Sequence, residues 1–239
     1  MAGTRLSRHE LKSQDEITTS LRSFTEILEA RKKEILIAIA AVVFVAGALM
    51  GWKAYSGRRN AAASVQLAAA ISAFEDSTVK PEKTRYEKAA AESQKTIDTY
   101  GSTSAAVIAR YYLAMSQERL GDTATAEKNM QEVVERADAS MKGVAQFALS
   151  QMQAKHGGAT KAIETLTQLY NSGNYPKSAV AYDLAALYEA EGKQKQAEEY
   201  YGKVIIDSPD SRFRQDSEAA LKRMGAAIPA PPAPVPAKK

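Results

Sequence analysis

Few side chains in this sequence stand where they could make or break a bond. There are two histidines, His9 and His156, and no cysteine. Without cysteine there are no disulfides, thiolate metal sites or thiol nucleophiles. His156 sits beside Gly157 and Gly158 with no second histidine near it, the setting of a solvated side chain in a turn. No H-E-x-x-H, no phosphate-binding glycine loop and no G-x-S-x-G occurs. Carboxylates such as Glu198 and Glu199 lie among lysines at helical spacing, the pattern of exposed charge pairs. The chain therefore reads as a non-enzyme, with no catalytic, cofactor-binding or metal-ligating residue. Among the residues that recur at regular intervals are three aromatic ones, Tyr111, Phe147 and Tyr182.

The frame that holds those rings is a repeat. Gly121, Gly157 and Gly192 follow one another at intervals of 36 and 35 residues. Each stands in the same surroundings. Leu113 and Ala114 precede the first, and Ala126, Met130 and Val133 follow it. Leu149 and Ser150 precede the second, and Ala162, Leu166 and Leu169 follow. Leu184, Ala185 and Tyr188 precede the third, then Ala197, Tyr201, Val204 and Pro209 follow. A period in this range predicts a stacked solenoid of helix pairs. Glycine at the turn takes a positive φ and ends the first helix. The small residues Ala114, Ser150 and Ala185 face Ala126, Ala162 and Ala197, so that each pair crosses closely. Pro209 closes the last unit where no further helical bond is needed.

This pattern resembles the tetratricopeptide repeat, and LAALYEAEGKQKQAEEYYGKVIIDSP carries the resemblance nearly throughout. Gln117 and Gln153 replace the first aromatic of the motif in the other two units. The resemblance implies a concave face lined by the first helix of each unit. Tyr111, Phe147 and Tyr182 would face inward there, flanked by Ile108, Val144 and Ala179 three residues earlier and by Met115, Gln151 and Ala186 four residues later. Such a groove would be apolar, suited to an apolar helix or an exposed peptide. It lacks the Lys, Arg and Asn of the clamp for acidic C-terminal peptides. The alternative is that the rings pack between neighbouring repeats.

A degenerate fourth unit precedes these, with helices near 60–76 and 82–99 and a break at Pro81. The segment near 212–223 reads as a capping helix, which a solenoid needs at its end. The repeat domain thus spans 60–224. Residues 225–239 are rich in Pro and Ala and read as an extended tail.

Upstream, Ile35–Trp52 is an uncharged run of eighteen residues. As a helix it spans about 27 Å, close to a bilayer core. Arg31, Lys32 and Lys33 flank one end, and Lys53, Arg58 and Arg59 the other, with Trp52 and Tyr55 at interface depth. We read residues 35–55 as an uncleaved anchor in the lipid bilayer, since the run is long and 34 residues precede it. The basic tail 1–34 would be cytoplasmic and the repeats outside by the positive-inside rule. Within that tail Ser13 and Glu16 make a capping box, and Ile17, Leu21, Phe24 and Leu28 form one apolar stripe. Gly47 and Gly51 make a G-x-x-x-G pair of the kind that lets membrane helices pack, which leaves a homo-oligomer open. The net charge of +4 lies wholly in residues 1–59, with ten Lys/Arg against six Asp/Glu; residues 60–239 hold 22 of each. The folded domain thus carries no basic excess, which argues against nucleic acid as a partner.

The expected fold class is therefore all-α, a single N-terminal transmembrane helix followed by a tetratricopeptide-repeat-like α-solenoid. The layout, with Gly51-Trp52-Lys53-Ala54-Tyr55 followed by an Ala/Ser/Gln-rich helix, is similar to the YfgM-like family of ancillary SecYEG translocon subunits. The resemblance covers about residues 20–224. It implies a bacterial inner-membrane protein with periplasmic repeats, working beside the SecYEG channel, periplasmic chaperones and unfolded clients. An envelope scaffold organising cell-wall or outer-membrane assembly machinery is the alternative.

Overall fold

The computed structural model describes residues 31–230, and the amphipathic stripe read in residues 17–28 lies outside them. Nine helices and no strand occur among the described residues. The chain divides at Arg58 into two compact units.

The first unit holds the N-terminal part of α1, Lys32–Glu75. Leu36, Val42, Phe44, Met50 and Trp52 stand exposed along it. Among the described residues it is the one helix long and apolar enough to cross a membrane, and none of its most apolar stretch is buried. A core helix of a soluble domain would cover such a surface. Gly47 and Gly51 lie on this helix, with open space where a Cβ would stand on either.

The second unit begins with residues 59–75 of α1 and continues as α2 (Glu82–Tyr100), α3 (Ser104–Leu120), α4 (Thr123–Arg136), α5 (Ala139–Lys155), α6 (Ala159–Ser172), α7 (Lys177–Ala190), α8 (Gln194–Asp207) and α9 (Arg214–Met224). From α2 onward each helix packs on the next in sequence. That is the sequential stacking of a solenoid.

The three repeat glycines do the same job in the same way. Gly121, Gly157 and Gly192 have φ of 89°, 81° and 71°. In each turn two reversed hydrogen bonds close the first helix. Asp122 N–H donates to Gln117 O, Gly158 N–H to Gln153 O and Lys193 N–H to Tyr188 O, at 2.9, 2.8 and 2.8 Å. Each glycine N–H also donates to the carbonyl three residues back. These paired bonds satisfy carbonyls that would otherwise be orphaned at the helix end. Asp122 and Asp138 then cap α4 and α5 by accepting from the Thr125 and Met141 N–H groups.

Each hairpin is tight because small residues meet. Ala114, Ala126, Ala162, Ala185 and Ala197 are fully buried, and Ser150 nearly so. Beside them runs a second pairing that joins residues twelve apart. In α7 and α8 it is aromatic, with Tyr188 stacked on Tyr200 at 5.7 Å and 21°. In the other two hairpins it is polar. Asn129 Nδ2 donates to Gln117 Oε1 at 2.8 Å, and Thr165 Oγ1 donates to Gln153 Oε1 at 2.9 Å. Gln117 and Gln153 thus stand where α7 carries Tyr188, and Asn129 and Thr165 stand where α8 carries Tyr200. A buried polar group needs a mate of its own kind, and here the facing helix supplies it.

Seams between hairpins are filled by larger side chains. Met130, Leu166, Leu169, Leu184 and Ile205 are the largest fully buried ones. Gly143, inside α5, touches the loop before α7: a Cβ there would fall 2.1 Å from the Asn174 carbonyl oxygen. At the far end α9 lays Ala220 and Leu221 against Tyr201 and Ile205 of α8. Beyond it Ala226 packs on the same cluster, and Pro229 lies over Gly202. The first residues of the Pro/Ala-rich segment are therefore folded onto the last hairpin.

Candidate protein-binding groove

The first helices of the repeats, α3, α5 and α7, carry every side chain assigned to the groove by repeat register. The structure sorts those larger than alanine into three groups. The rings come first. Tyr111, Phe147 and Tyr182 are all half-buried, and each packs against a seam cluster. Phe147 is stacked under Tyr175 at 4.5 Å and 17°. Tyr182 is stacked with Phe213 at 5.0 Å and 23°, with Tyr201 at its edge. In both cases the covering ring comes from the loop that leads into the next helix after the hairpin. The loop before α5 has no ring to offer, and Tyr111 instead meets the edge of Tyr112. Burial lifts the phenols of Tyr111 and Tyr182 above their ordinary range. These rings spend most of their faces inside the solenoid.

Ile108 and Val144 form the second group. Ile108 packs on the cluster of Ala105, Ala109 and Leu113 and lines a hollow of about 370 Å³ at the start of α3, with Arg136 and Met141 across it. Val144 is 39% exposed and lines neither this hollow nor the groove described next.

The third group makes an open groove. Met115 and Gln151 line it with Ala148, Met152 and Ala154, and it holds about 670 Å³ between α3 and α5. Glu118, Arg119 and Lys155 complete its lining. Met152, Tyr175, Phe213 and the charged rim are additions that repeat register does not single out. Met115 gives the floor a partly exposed, adaptable apolar side chain, while Met152 is packed in the core cluster beside it, 5% exposed.

The charges around it are unequally matched. Glu118, its side chain 8% exposed, takes Lys155 at 2.5 Å and Arg119 at 3.7 Å, with His156 at 3.9 Å. Asp183, half-buried on α7, has one side-chain hydrogen-bond partner among the described residues: the Gln151 side-chain amide donates to its Oδ2. Burial without a cation pushes the Asp183 carboxyl up to about 6. Further along α7, Glu189 is held below its ordinary range by the Arg223 guanidinium at 2.6 Å, helped by the Tyr201 hydroxyl. No group of metal-ligating side chains occurs among the described residues.

Helix pairs closed by left-handed glycines, small residues at each crossing and a groove along the first helices define a helical-repeat protein. A family model for the tetratricopeptide repeat-like domain matches residues 32–223, so its match takes in α1 as well as the hairpins. The chain belongs to that family. No curated protein matches it. Folds of this family serve typically as interaction scaffolds without catalysis, which makes contact with other proteins the function class.

Proposed function

We propose that this protein is a membrane-anchored docking protein whose repeat groove holds a segment of a partner or an unfolded client. The observation that carries the reading is the open groove floored by Met115 on the face formed by α3 and α5. An adaptable apolar floor beside a fixed polar rim fits peptide capture better than a structural seam, which would be filled. Residues 35–55 would cross the bilayer with the N-terminus cytoplasmic and the repeats periplasmic, supported by the bare apolar surface of α1 and its flanking cations. Tethering raises the local concentration of the groove at the membrane, so individually weak contacts suffice. The resemblance to ancillary SecYEG translocon subunits names the neighbours to look for: the channel, periplasmic chaperones and emerging chains.

The rings refine how this is tested. Tyr111→Ala with Phe147→Ala would empty two seams and unsettle the fold, so loss of contact in that variant would not locate a site. A photo-crosslinking residue at Gln151 reads the groove directly. The full chain would be purified from native membranes in mild detergent after irradiation and its adducts identified. Translocon subunits, chaperones or nascent envelope proteins support the proposal. Wall-synthesis or outer-membrane assembly proteins would replace it with an envelope scaffold. No adduct at Gln151, with adducts at exposed control positions, refutes the groove. A phosphatase reporter fused after Lys239 tests the topology: activity supports exported repeats, and silence with good expression argues against them.

A further inference from the structure

The other side of α5 carries a second hollow, where α4, α5 and α6 meet, and it holds about 440 Å³. Its lining is acidic. Glu127 and Glu135 reach it from α4 and Glu164 from α6, against the single lysine Lys161. None of these four side chains forms an ion pair among the described residues, although ten other pairs occur. A buried polar group belongs to the same wall. Gln146 is 8% exposed, and its Oε1 is buried with no hydrogen-bond partner. Leaving such an oxygen unpaired costs free energy that a donor would restore. An amide oxygen can only accept, so the missing partner is an N–H or O–H group.

The wall therefore lacks positive charge and a hydrogen-bond donor at one place. The three carboxylates do not gather around a point, since no group able to hold a metal ion occurs among the described residues. Glu127 and Glu135 stand eight residues apart on α4, about 12 Å along the helix axis. Charge spread over that length is matched by a ligand whose own charges are spread along a chain. Val134 and Leu149 share the lining and offer apolar contact to such a chain. The volume suits a small molecule.

We propose that this hollow binds a linear polyamine, a small molecule with ammonium groups spaced along an alkyl chain. Its end groups pair with Glu127 and Glu135, and Glu164 faces it from α6. One N–H donates to Gln146 Oε1, and the methylenes lie on Val134 and Leu149. The site is separate from the groove between α3 and α5 and does not depend on what that groove holds.

The test uses the full chain in nanodiscs of neutral lipid, with empty nanodiscs as control, and radiolabelled spermidine in equilibrium dialysis. Binding should saturate. Glu135→Gln and Glu164→Gln should each weaken it about tenfold, the scale of one hydrogen bond to a charged group. Glu191→Gln removes the same charge from an exposed position outside the hollow and should leave the Kd within about twofold. Gln146→Leu should weaken binding by about threefold to tenfold and leave the melting temperature of the free protein no lower, because the unpaired oxygen goes with the side chain. Glu135 and Glu164 are exposed, so their variants keep the test decisive if Gln146→Leu unsettles the core. Butylamine, Mg²⁺ and a lysine–alanine–lysine peptide should each displace the label far less well than unlabelled spermidine. The inference is overturned if no saturable binding occurs, if Glu191→Gln weakens it as much as the other two glutamate variants, or if full affinity survives in Glu135→Gln, Glu164→Gln or a folded Gln146→Leu. Stronger displacement by the peptide would also overturn it, by assigning the cation to a lysine-bearing protein.

Discussion

Asp183→Asn should stabilise this protein at neutral pH and do nothing in acid. The folded-state carboxyl sits at about 6, against an ordinary 3.8. A raised value means the folded state holds the proton more tightly than the unfolded chain does. Stability from this group is therefore present in acid and is lost as pH rises from about 4 through about 6. Above that window the group is ionised in both states and the folded state carries the whole penalty. The full difference corresponds to ~3 kcal/mol at most. Asp183 is only half-buried, and solvent screening reduces this to about 1–2 kcal/mol. The amide introduced by the substitution would carry no charge and would still accept from Gln151. For a solenoid of this length the gain at pH 7.5 translates to a Tm higher by about 3–6 °C. Thermal melts followed by circular dichroism at several pH values from 4 to 8 measure it. Wild type and variant should converge near pH 4 and separate as pH rises through 6. The neighbouring groups do not mimic this curve: Gln151 does not titrate, Tyr182 is shifted upward, and Glu189 is shifted downward by Arg223. A variant that is less stable at pH 7.5, or a gap independent of pH, would refute the reasoning. Either result would mean that the carboxylate has a stabilising partner.

Two further substitutions probe the hairpins. Gln153→Ala and Thr165→Ala should each cost about 1–2 kcal/mol by stranding a partner that is wholly or partly buried, while the double variant costs less than their sum by about 1 kcal/mol; a double-mutant cycle of urea melts checks this, and strict additivity would remove the pairing. Gly143→Ala should destabilise by about 1–3 kcal/mol although alanine favours helix, because the new Cβ collides with the Asn174 carbonyl and pushes the loop carrying Tyr175 off Phe147. A raised Tm with unchanged near-ultraviolet circular dichroism would show that the loop yields freely.

The helical repeat is legible in the amino-acid sequence because its signals are local. Gly121, Gly157 and Gly192 each end a helix through their own backbone, and small residues mark each crossing at a constant offset from them. The apolar run of α1 is legible for the same reason, since length and composition alone make it able to span a bilayer. The polar exchange at Gln117 and Gln153 shows the limit of that reading. Register identifies both as departures, but that Asn129 and Thr165 are their partners is visible only once two helices are antiparallel.

What the tertiary structure decided is which side chains are left over for a partner. Equal register places Tyr111, Phe147 and Tyr182 alike, yet Tyr175 and Phe213 cover two of them. Those covering rings sit at different distances past their turn glycines, in loops of different length, so no periodic pattern contains them. Gly143 reads as a weak point in a helix until Asn174 is found against it. Asp183 reads as one more surface carboxylate until its neighbours are in place. Turns and periodicity depend on residues close in the chain, and sequence by itself determined them. Burial, stacking and charge matching depend on residues that only folding brings together, and those decided the shape and chemistry of the groove.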